Sequence, residues 1–438
     1  LLSGREEVLY VSNEEGVLNC LKFHLYANAF NEGKEPFSPV EKLEAYYSGE
    51  SYGKIEIHSV KLDEKKVDFT LENNGEILTV PTGPLNKGDS ATVELEFTVT
   101  LPKCRGRLGI TESTINLGNF YPVLCVYENG KYVTDGYSKF GDPFYTDVAD
   151  YYVTLNVPSD MEVAHTGEAT ESKTSGDTKT IEILAEKTRD FAAVMSQNFK
   201  KVSSSRNGVE VSYFYLSDPA PESTLDIAHS ALMVFSSEFG PYPYKTMAIA
   251  ETPFTAGGME YTALAMIASG LNGSVREETV IHEIAHQWWY GVVGSNQIAE
   301  PWLDEALTEF CMALYFKLTG DISRFERIMA EQKNTYSLYC DFLRNNGKNA
   351  DGRIAKTLNE FSSSSEYVIM TYSKGAIMFH TLYEIMGEKK FIKALNTYYQ
   401  ENLFSHAHKE DLISAFEKHK RGAGKIIVPY LEGTVVIN

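Results

Sequence analysis

Two histidines four residues apart, His282 and His286, lie within the stretch HEIAHQWWY. On an α-helix that spacing sets both imidazoles on one face, about one turn apart, where they can grip a single metal ion. Glu283 projects beside them, placed to take a proton from a metal-activated water rather than to bind the metal. The run reads as a helix: Ser274 and Glu277 make a capping-box pattern, and Val280, Ile281, Ile284, Ala285 and Trp288 supply an apolar face. Catalytic zinc generally takes three protein ligands and leaves a position for water, so a third ligand is required. Glu305, in the stretch EPWLDEALTEF with eighteen residues between it and His286, meets that need. It stands on a second amphipathic pattern formed by Leu303, Ala306, Leu307, Phe310 and Leu314. These residue types and spacings imply hydrolysis by water activated on zinc, one ion per chain.

Other residues near these stretches have blander readings. Glu309 follows Glu305 by four positions, where it either accepts a hydrogen bond from a ligand histidine or is a solvated helix carboxylate. His406, His408 and His419 form no ligand spacing with a third partner and read as surface residues. Trp288, Trp289 and Trp302 read as packing around the two ligand helices.

The elements that must position the site divide the chain in two. With 438 residues it exceeds what one core spans, so two or more domains are expected. Up to about residue 200 the pattern is β: residues 91–101 alternate strictly, with Val93, Leu95, Phe97, Val99 and Leu101 on one face before Pro102 stops the run. Residues 67–71 and 77–80 flank Asn73-Asn74-Gly75, a hairpin signal, and 152–157 and 181–184 read as strands around a polar loop at 172–178. The polar run 203–208 is taken as the boundary, giving an all-β sheet or sandwich domain over 1–204 and a catalytic domain over 205–438. Beyond it, strand patterns at 209–216 and 246–270 frame a helix at 223–239. Helical patterns follow near 275–290, 303–318, 322–344, 372–386, 388–400 and 409–419. The fold class is α+β and multidomain, with a thermolysin-like catalytic half.

Composition excludes some partners. The formal charge of −20, from 60 acidic and 40 basic residues, argues against nucleic acid and anionic membranes and fits cationic substrates such as peptides with a free amino terminus. Five cysteines without a C-x-x-C pair indicate neither a disulfide framework nor a cysteine metal site, and leave open one bridge, for instance Cys104 to Cys125. No apolar run is long enough to span a bilayer, and no signal peptide is present. The sequence opens at Leu1 rather than Met, so an upstream segment is expected to have been removed and localisation stays open.

HEIAH followed by Glu305 resembles the zinc signature of the aminopeptidase N family of gluzincins, which includes leukotriene-A hydrolase. Gly257-Gly258-Met259-Glu260 resembles that family's G-[AG]-M-E-N peptide-binding strand, and Tyr372-Ser373-Lys374-Gly375 its Y-x-K-G segment at the start of a later helix. The stretch from Phe120-Tyr121-Pro122 to Val157-Pro158 is similar in rhythm to the family's β domain. The resemblance implies a zinc aminopeptidase that removes N-terminal residues from peptides. Within it, Tyr372 donates a hydrogen bond to the developing oxyanion, residues 257–260 bind substrate, and Glu260 takes the α-ammonium. Two other readings stay in play: a thermolysin-like endopeptidase, which would not need Glu260, and a catalytically silent binding module, against which the intact Glu283, Tyr372 and ligand set argue. Epoxide hydrolysis, as in the lipid-processing relative, is also compatible. This chain departs from the pattern in three places. The Asn after M-E is Tyr261. The β-domain Gln that many members use as a second amine anchor has no clear counterpart, with Thr111 or Glu112 near its position. The sequence ends at Asn438, so a compact form without the large C-terminal helical domain, and a more open cleft, are expected.

Overall fold

The computed structural model describes residues 1–435, and its first half is built from antiparallel sheets. Strand Ser90–Thr100 pairs on either side with Leu2–Val11 and Lys54–Leu62, because Ala91, Val93, Leu95, Phe97 and Val99 all turn inward at the period-two spacing of a half-buried strand. A second sheet runs Val123–Leu124, Leu18–His24, Ile77–Leu85 and Thr70–Glu72. The hairpin at Asn73-Asn74-Gly75 forms as expected, all three residues taking positive φ, although its first arm is only Thr70–Glu72. Leu101 lies beyond the end of its strand.

The region read as a polar loop at 172–178 is largely strand. Glu168–Ser175 pairs antiparallel with Thr178–Thr188, which pairs in turn with Ala149–Pro158. Every residue of Glu168–Ser175 is exposed, so the strand carries no hydrophobic alternation to betray it. A further sheet of Glu162–His165, Ala193–Ser196, Ile115–Leu117 and Leu108–Ile110 completes the β half.

The catalytic half begins with a five-stranded sheet in the order Lys200–Arg206, Val209–Tyr215, Thr246–Thr252, Leu264–Ala268, Gly258–Tyr261. The middle three strands are parallel and both edges antiparallel. The first parallel step is bridged by helix Pro221–Glu238, the crossover such a pair needs. The sequence-based boundary at 204/205 therefore falls inside a strand. Residues 200–206 pair in register with 209–215 through a turn at Asn207-Gly208, so a division that keeps this sheet whole lies before Lys200, and we propose it there.

This sheet is a wall shared by two cores, which places the cleft. Phe214, Ala248, Ala250, Met259, Tyr261, Leu264 and Met266 pack into the core of the β half. Val211, Tyr213, Met247, Ile249, Ala265 and Ile267 pack against the helices. The longer helices are Gly273–Ala285, Trp302–Leu318, Ile322–Asn345, Gly375–Met386, Glu388–Glu401, Lys409–His419 and Gly424–Leu431, with longer connections at 286–301 and 346–374. Trp288, Trp289 and Trp302 are fully buried among them, as expected.

Two of the three histidines read as surface residues instead join the halves. His406 Nε2 lies 2.8 Å from Asp147, its ring against Tyr145, and His408 bridges Glu128 at 2.8 Å and Glu300 at 3.2 Å. His419 is half-buried, 2.8 Å from Thr397 Oγ1. Among the described residues all five cysteines are unpaired, and the Cys104 thiol donates to the Leu108 carbonyl. No described helix is long and apolar enough to cross a membrane.

Candidate active site

Helix Gly273–Ala285 packs against edge strand Gly258–Tyr261 and helix Trp302–Leu318, and the three bring the sequence-predicted residues to one cleft. Its N-terminus differs from expectation. The N-cap is Asn272 and no side chain closes it. Glu277 is drawn instead to Arg324, which also holds Glu278, so the capping box does not form. The helix ends earlier as well, at Ala285 rather than near 290, with His286 as its C-cap. The turn that follows lets the Trp289 carbonyl fold back to within 3.0 Å of His286 Nδ1.

His282, His286 and Glu305 each offer a ligand atom within 4.8 Å of one another. The two Nε2 atoms are 3.1 Å apart, and Glu305 Oε2 lies 3.3 Å from each. The other ring nitrogens are engaged from behind: His282 Nδ1 lies 3.0 Å from Glu309 Oε2, and His286 Nδ1 meets the Trp289 carbonyl and Thr308 Oγ1. With Nδ1 so held, both Nε2 atoms face inward, the arrangement that outer partners impose on metal-binding histidines. Of the two readings of Glu309, the structure takes the one against a histidine, and Gln332 Nε2 holds its second oxygen at 2.7 Å.

The three groups hold one another by charge. Burial pushes the His282 imidazole down, but hydrogen bonds to Glu305 and Glu309 outweigh it and lift the group to about 10. Burial works against ionised Glu305 too, yet His286 and His282 carry it well below the usual carboxylate range. Two imidazole nitrogens and a carboxylate, buried and converging, are a donor set that suits zinc.

Glu283 is 4% exposed, and its Oε2 has no partner. Burial raises it to about 8, against the pull of the two histidines. Gly258 lies directly over it: a Cβ there would overlap the Glu283 carboxylate, so only glycine lets the strand approach the base. Gly257, Gly258 and Glu260 line the cleft, whose volume is about 490 Å³, while Met259 turns away and is fully buried, its sulfur 3.0 Å from Arg107 Nε. Ala256 is at the rim. Glu260 Oε1 accepts from Gln297 Nε2 at 2.9 Å, and the same amide reaches Asp304 at 2.8 Å.

Tyr372 also lines the cleft, its ring stacked on His282 with centroids 6.0 Å apart. It does not open a helix. It sits within a π-helical turn, Ile369–Lys374, between the short helix Ser364–Val368 and Gly375–Met386. Such widened turns aim a side chain out of the regular ladder and are frequent at functional sites. Burial, with Glu305 nearby, pushes the phenol well above its ordinary value, so the hydroxyl keeps its proton.

The substitution at Tyr261 has a structural explanation. Its hydroxyl donates to Asn119 Oδ1 at 3.1 Å, and Gly118 makes room for the phenol, since a Cβ at Gly118 would overlap the hydroxyl. The strand that carries Glu260 is thereby tethered to the β half. Neither Thr111 nor Glu112 reaches the cleft: Thr111 is buried in a hydroxyl network with Thr114, and Glu112 pairs with Arg105. The residues that sequence reasoning missed are Arg107, Asp142, Gln297, Asp304 and Tyr367. Asp142, raised to about 7 by burial despite its pairing with Arg107, stands beside Glu260. No local motif marks it, because Glu260 and Glu305, which it approaches at the site, are more than a hundred positions away.

A sequence profile of the peptidase family M1 domain matches residues 223–428. Residues 223–428 thus carry a peptidase family M1 domain. Among curated relatives it is 25% identical over 240 residues to the Tricorn protease-interacting factor F2 of Thermoplasma acidophilum, covering 50% of this chain and 29% of that protein. It is 24% identical over 393 residues to Aminopeptidase M1 of Arabidopsis thaliana, covering 82% of this chain and 44% of that protein. The chain thus spans less than half the length of these curated relatives. Its fold matches the M1 zinc metallopeptidase of Deinococcus radiodurans with a TM-score of 0.70 at 17% identity, over 99% of this chain and 90% of that one. A mutant of that M1 enzyme, described as bound to a Tyr-Ser-Ala substrate, matches with a TM-score of 0.68 at 16% identity, over 99% and 91% of the two chains.

Proposed function

We propose that this chain is a zinc-dependent aminopeptidase, with one zinc held by His282, His286 and Glu305 and peptides with a free N-terminus as substrates. The observation that carries the reading is the convergence of that ligand set with Glu283, Tyr372 and Glu260 on one cleft. Zinc held there would supply Lewis acidity to a carbonyl and to water.

The chain's own residues divide the remaining work. Glu283 takes a proton from the attacking water and returns it to the leaving amine, a double duty best served by a group that titrates near the working pH. The Tyr372 hydroxyl donates to the carbonyl oxygen as charge gathers there. Glu309 and the Trp289 carbonyl keep the imidazoles oriented. Glu260 meets the α-ammonium and so sets cleavage one residue from the end. An endopeptidase would bury that carboxylate against a substrate with no charge to offset it, at a cost of several kcal/mol. A net charge of −20 further favours cationic N-termini over acidic ligands.

The test is a panel of fluorogenic aminoacyl amides and their N-acetylated counterparts, run after chelation and after zinc is restored. Cleavage of free-amine substrates that disappears on chelation and returns with zinc is expected. Full activity in metal-free protein overturns the zinc assignment. Equal cleavage of acetylated substrates favours the endopeptidase, and zinc-loaded protein without turnover favours the silent module.

A further inference from the structure

Tyr372 is held in place from a stretch of chain that stands outside the cleft. It sits in the π-helical turn Ile369–Lys374, a geometry seldom stable by its own propensity and so in need of support from its surroundings. Both ends of the segment 364–374 are tied to the connection 346–363, no residue of which is among those lining the cleft. At the near end Lys356 Nζ donates to Glu366 Oε1 at 2.7 Å, and the other oxygen of Glu366 accepts from Ser362 N at 2.8 Å and Ser362 Oγ at 2.6 Å. At the far end Lys374 Nζ donates to the Gly352 carbonyl at 2.5 Å. All three charged side chains are buried, Lys356 at 3%, Glu366 at 6% and Lys374 at 0% exposure. The connection is itself seated on the body of the catalytic half: Ile354, Leu358 and Phe361 belong to its core, and Leu358 N donates to the Ile298 carbonyl at 2.9 Å. Between the two ties Tyr367, the neighbour of Glu366, meets the Tyr372 ring edge-on with centroids 5.8 Å apart. A buried ion pair is a poor source of stability, because desolvation offsets its attraction, and its best-attested use is to fix one arrangement over others.

We propose that Lys356 and Glu366 are positioning residues for Tyr372, their buried pair splinting the π-helical turn so that the phenol hydroxyl meets the reacting carbonyl. The inference rests on the reading of Tyr372 as the donor to that oxygen. A tyrosine carries its hydroxyl at the far end of a rigid ring, so a small tilt of the backbone moves the hydroxyl further than the backbone itself moves. With Lys356 removed, Glu366 keeps only the Ser362 donors against a buried charge, and the segment shifts to hydrate it. Tyr367 and Tyr372 ride on that segment. The ligand set and the strand Gly258–Tyr261 lie on other elements, so zinc and substrate binding are spared. The loss therefore falls on the transition state, and it is limited to what the Tyr372 hydroxyl contributes there.

The experiment measures kcat and KM of zinc-loaded Lys356→Met, Lys356→Arg and Glu366→Gln on one aminoacyl amide, each in the wild-type and in the Tyr372→Phe background. In the wild-type background Lys356→Met should lose roughly ten- to hundredfold in kcat, the order that misplacing a catalytic group by about 1 Å costs, with KM and zinc content unchanged. Glu366→Gln should lose part of that, and Lys356→Arg should keep most of the wild-type rate. In the Tyr372→Phe background the same substitutions should change kcat by less than about twofold, because the hydroxyl that the pair places is gone. Wild-type kcat in Lys356→Met would overturn the proposal, and so would equal losses in the two backgrounds. A Tyr372→Phe enzyme with wild-type kcat removes the reading of Tyr372 and the positioning role with it, whereas a slow Tyr372→Phe enzyme that Lys356→Met slows further by the full factor refutes the positioning role alone. If Lys356→Met fails to fold, the double variant Lys356→Met/Glu366→Leu, which leaves no member of the pair as an unpaired buried charge, takes its place. A kcat loss confined to the background that retains Tyr372 supports the proposal, and the same loss in both, or none in either, overturns it.

Discussion

Replacing Glu309 by alanine should weaken zinc binding without removing a ligand. The carboxylate lies 3.0 Å from His282 Nδ1, and both side chains are close to nine-tenths buried. A hydrogen bond to a charged group so shielded contributes about 1.5–3 kcal/mol. If that bond serves to aim Nε2 at the metal, its loss appears as a roughly 10- to 150-fold rise in the zinc Kd, in line with the 10- to 100-fold typical of outer partners. The effect is bounded because His286 is aimed separately, by the Trp289 carbonyl and Thr308. Gln332 gives an internal scale: it touches only the far oxygen of Glu309, at 2.7 Å, so Gln332→Ala should cost about 1 kcal/mol or less, up to about fivefold in Kd. Glu309→Gln, which keeps an acceptor but not the charge, should fall between. The assay is competition with a chromogenic chelator at fixed pH on metal-free protein, with the thermal midpoint of each metal-free variant as the check on folding. A Glu309→Ala Kd within twofold of wild type would refute the reasoning, and so would a Gln332→Ala effect as large as that of Glu309→Ala.

Three further outcomes are expected. Tyr372→Phe removes the donor proposed to act chiefly in the transition state, so kcat should fall by the equivalent of about 3–4 kcal/mol with KM little changed; a change confined to KM would indicate packing against substrate. Gly258→Ala should retain zinc yet lose most turnover, because the added methyl displaces Glu283, and wild-type kcat in a zinc-replete variant would show that the base is not where it is needed. His408 gives a pH dependence. Burial lowers its imidazole, but Glu300 and Glu128 outweigh this and raise it. A raised imidazole stabilises the fold fully below its unfolded value of about 6.5, and the contribution is lost as pH rises through the folded value. His408→Gln should therefore depress the thermal midpoint at pH ~6 and have little effect at pH ~9. With the ring 38% exposed the loss is held to about 1 kcal/mol or less, and equal depression at both pH values would contradict the assignment.

Some of this site was legible in the chain because the relevant geometry is local. A helix fixes the relation of His282, Glu283 and His286 within one turn, and the apolar spacing around Glu305 declares a second helix. Strand Ser90–Thr100 declared itself in the same way, through alternation that a half-buried sheet requires. Where burial leaves no periodic trace, the reading failed. The exposed strand Glu168–Ser175 looked like a loop, and His406 and His408 looked like surface when their partners, Asp147 and Glu128, lie more than two hundred residues upstream. Tyr372 was found as a motif, but the π-helical turn that presents it depends on neighbouring helices rather than on local propensity. Arg324 likewise took Glu277 from the capping box that sequence alone assigned it. What tertiary structure decided is the wall of the cleft facing the ligand helix. Asp142, Arg107 and Gln297 reach Glu260 and its strand only because one sheet buries both faces, one against the helices and one against the β half. Spacing along a chain encodes contacts within an element, whereas contacts between elements follow from which apolar faces must be buried together.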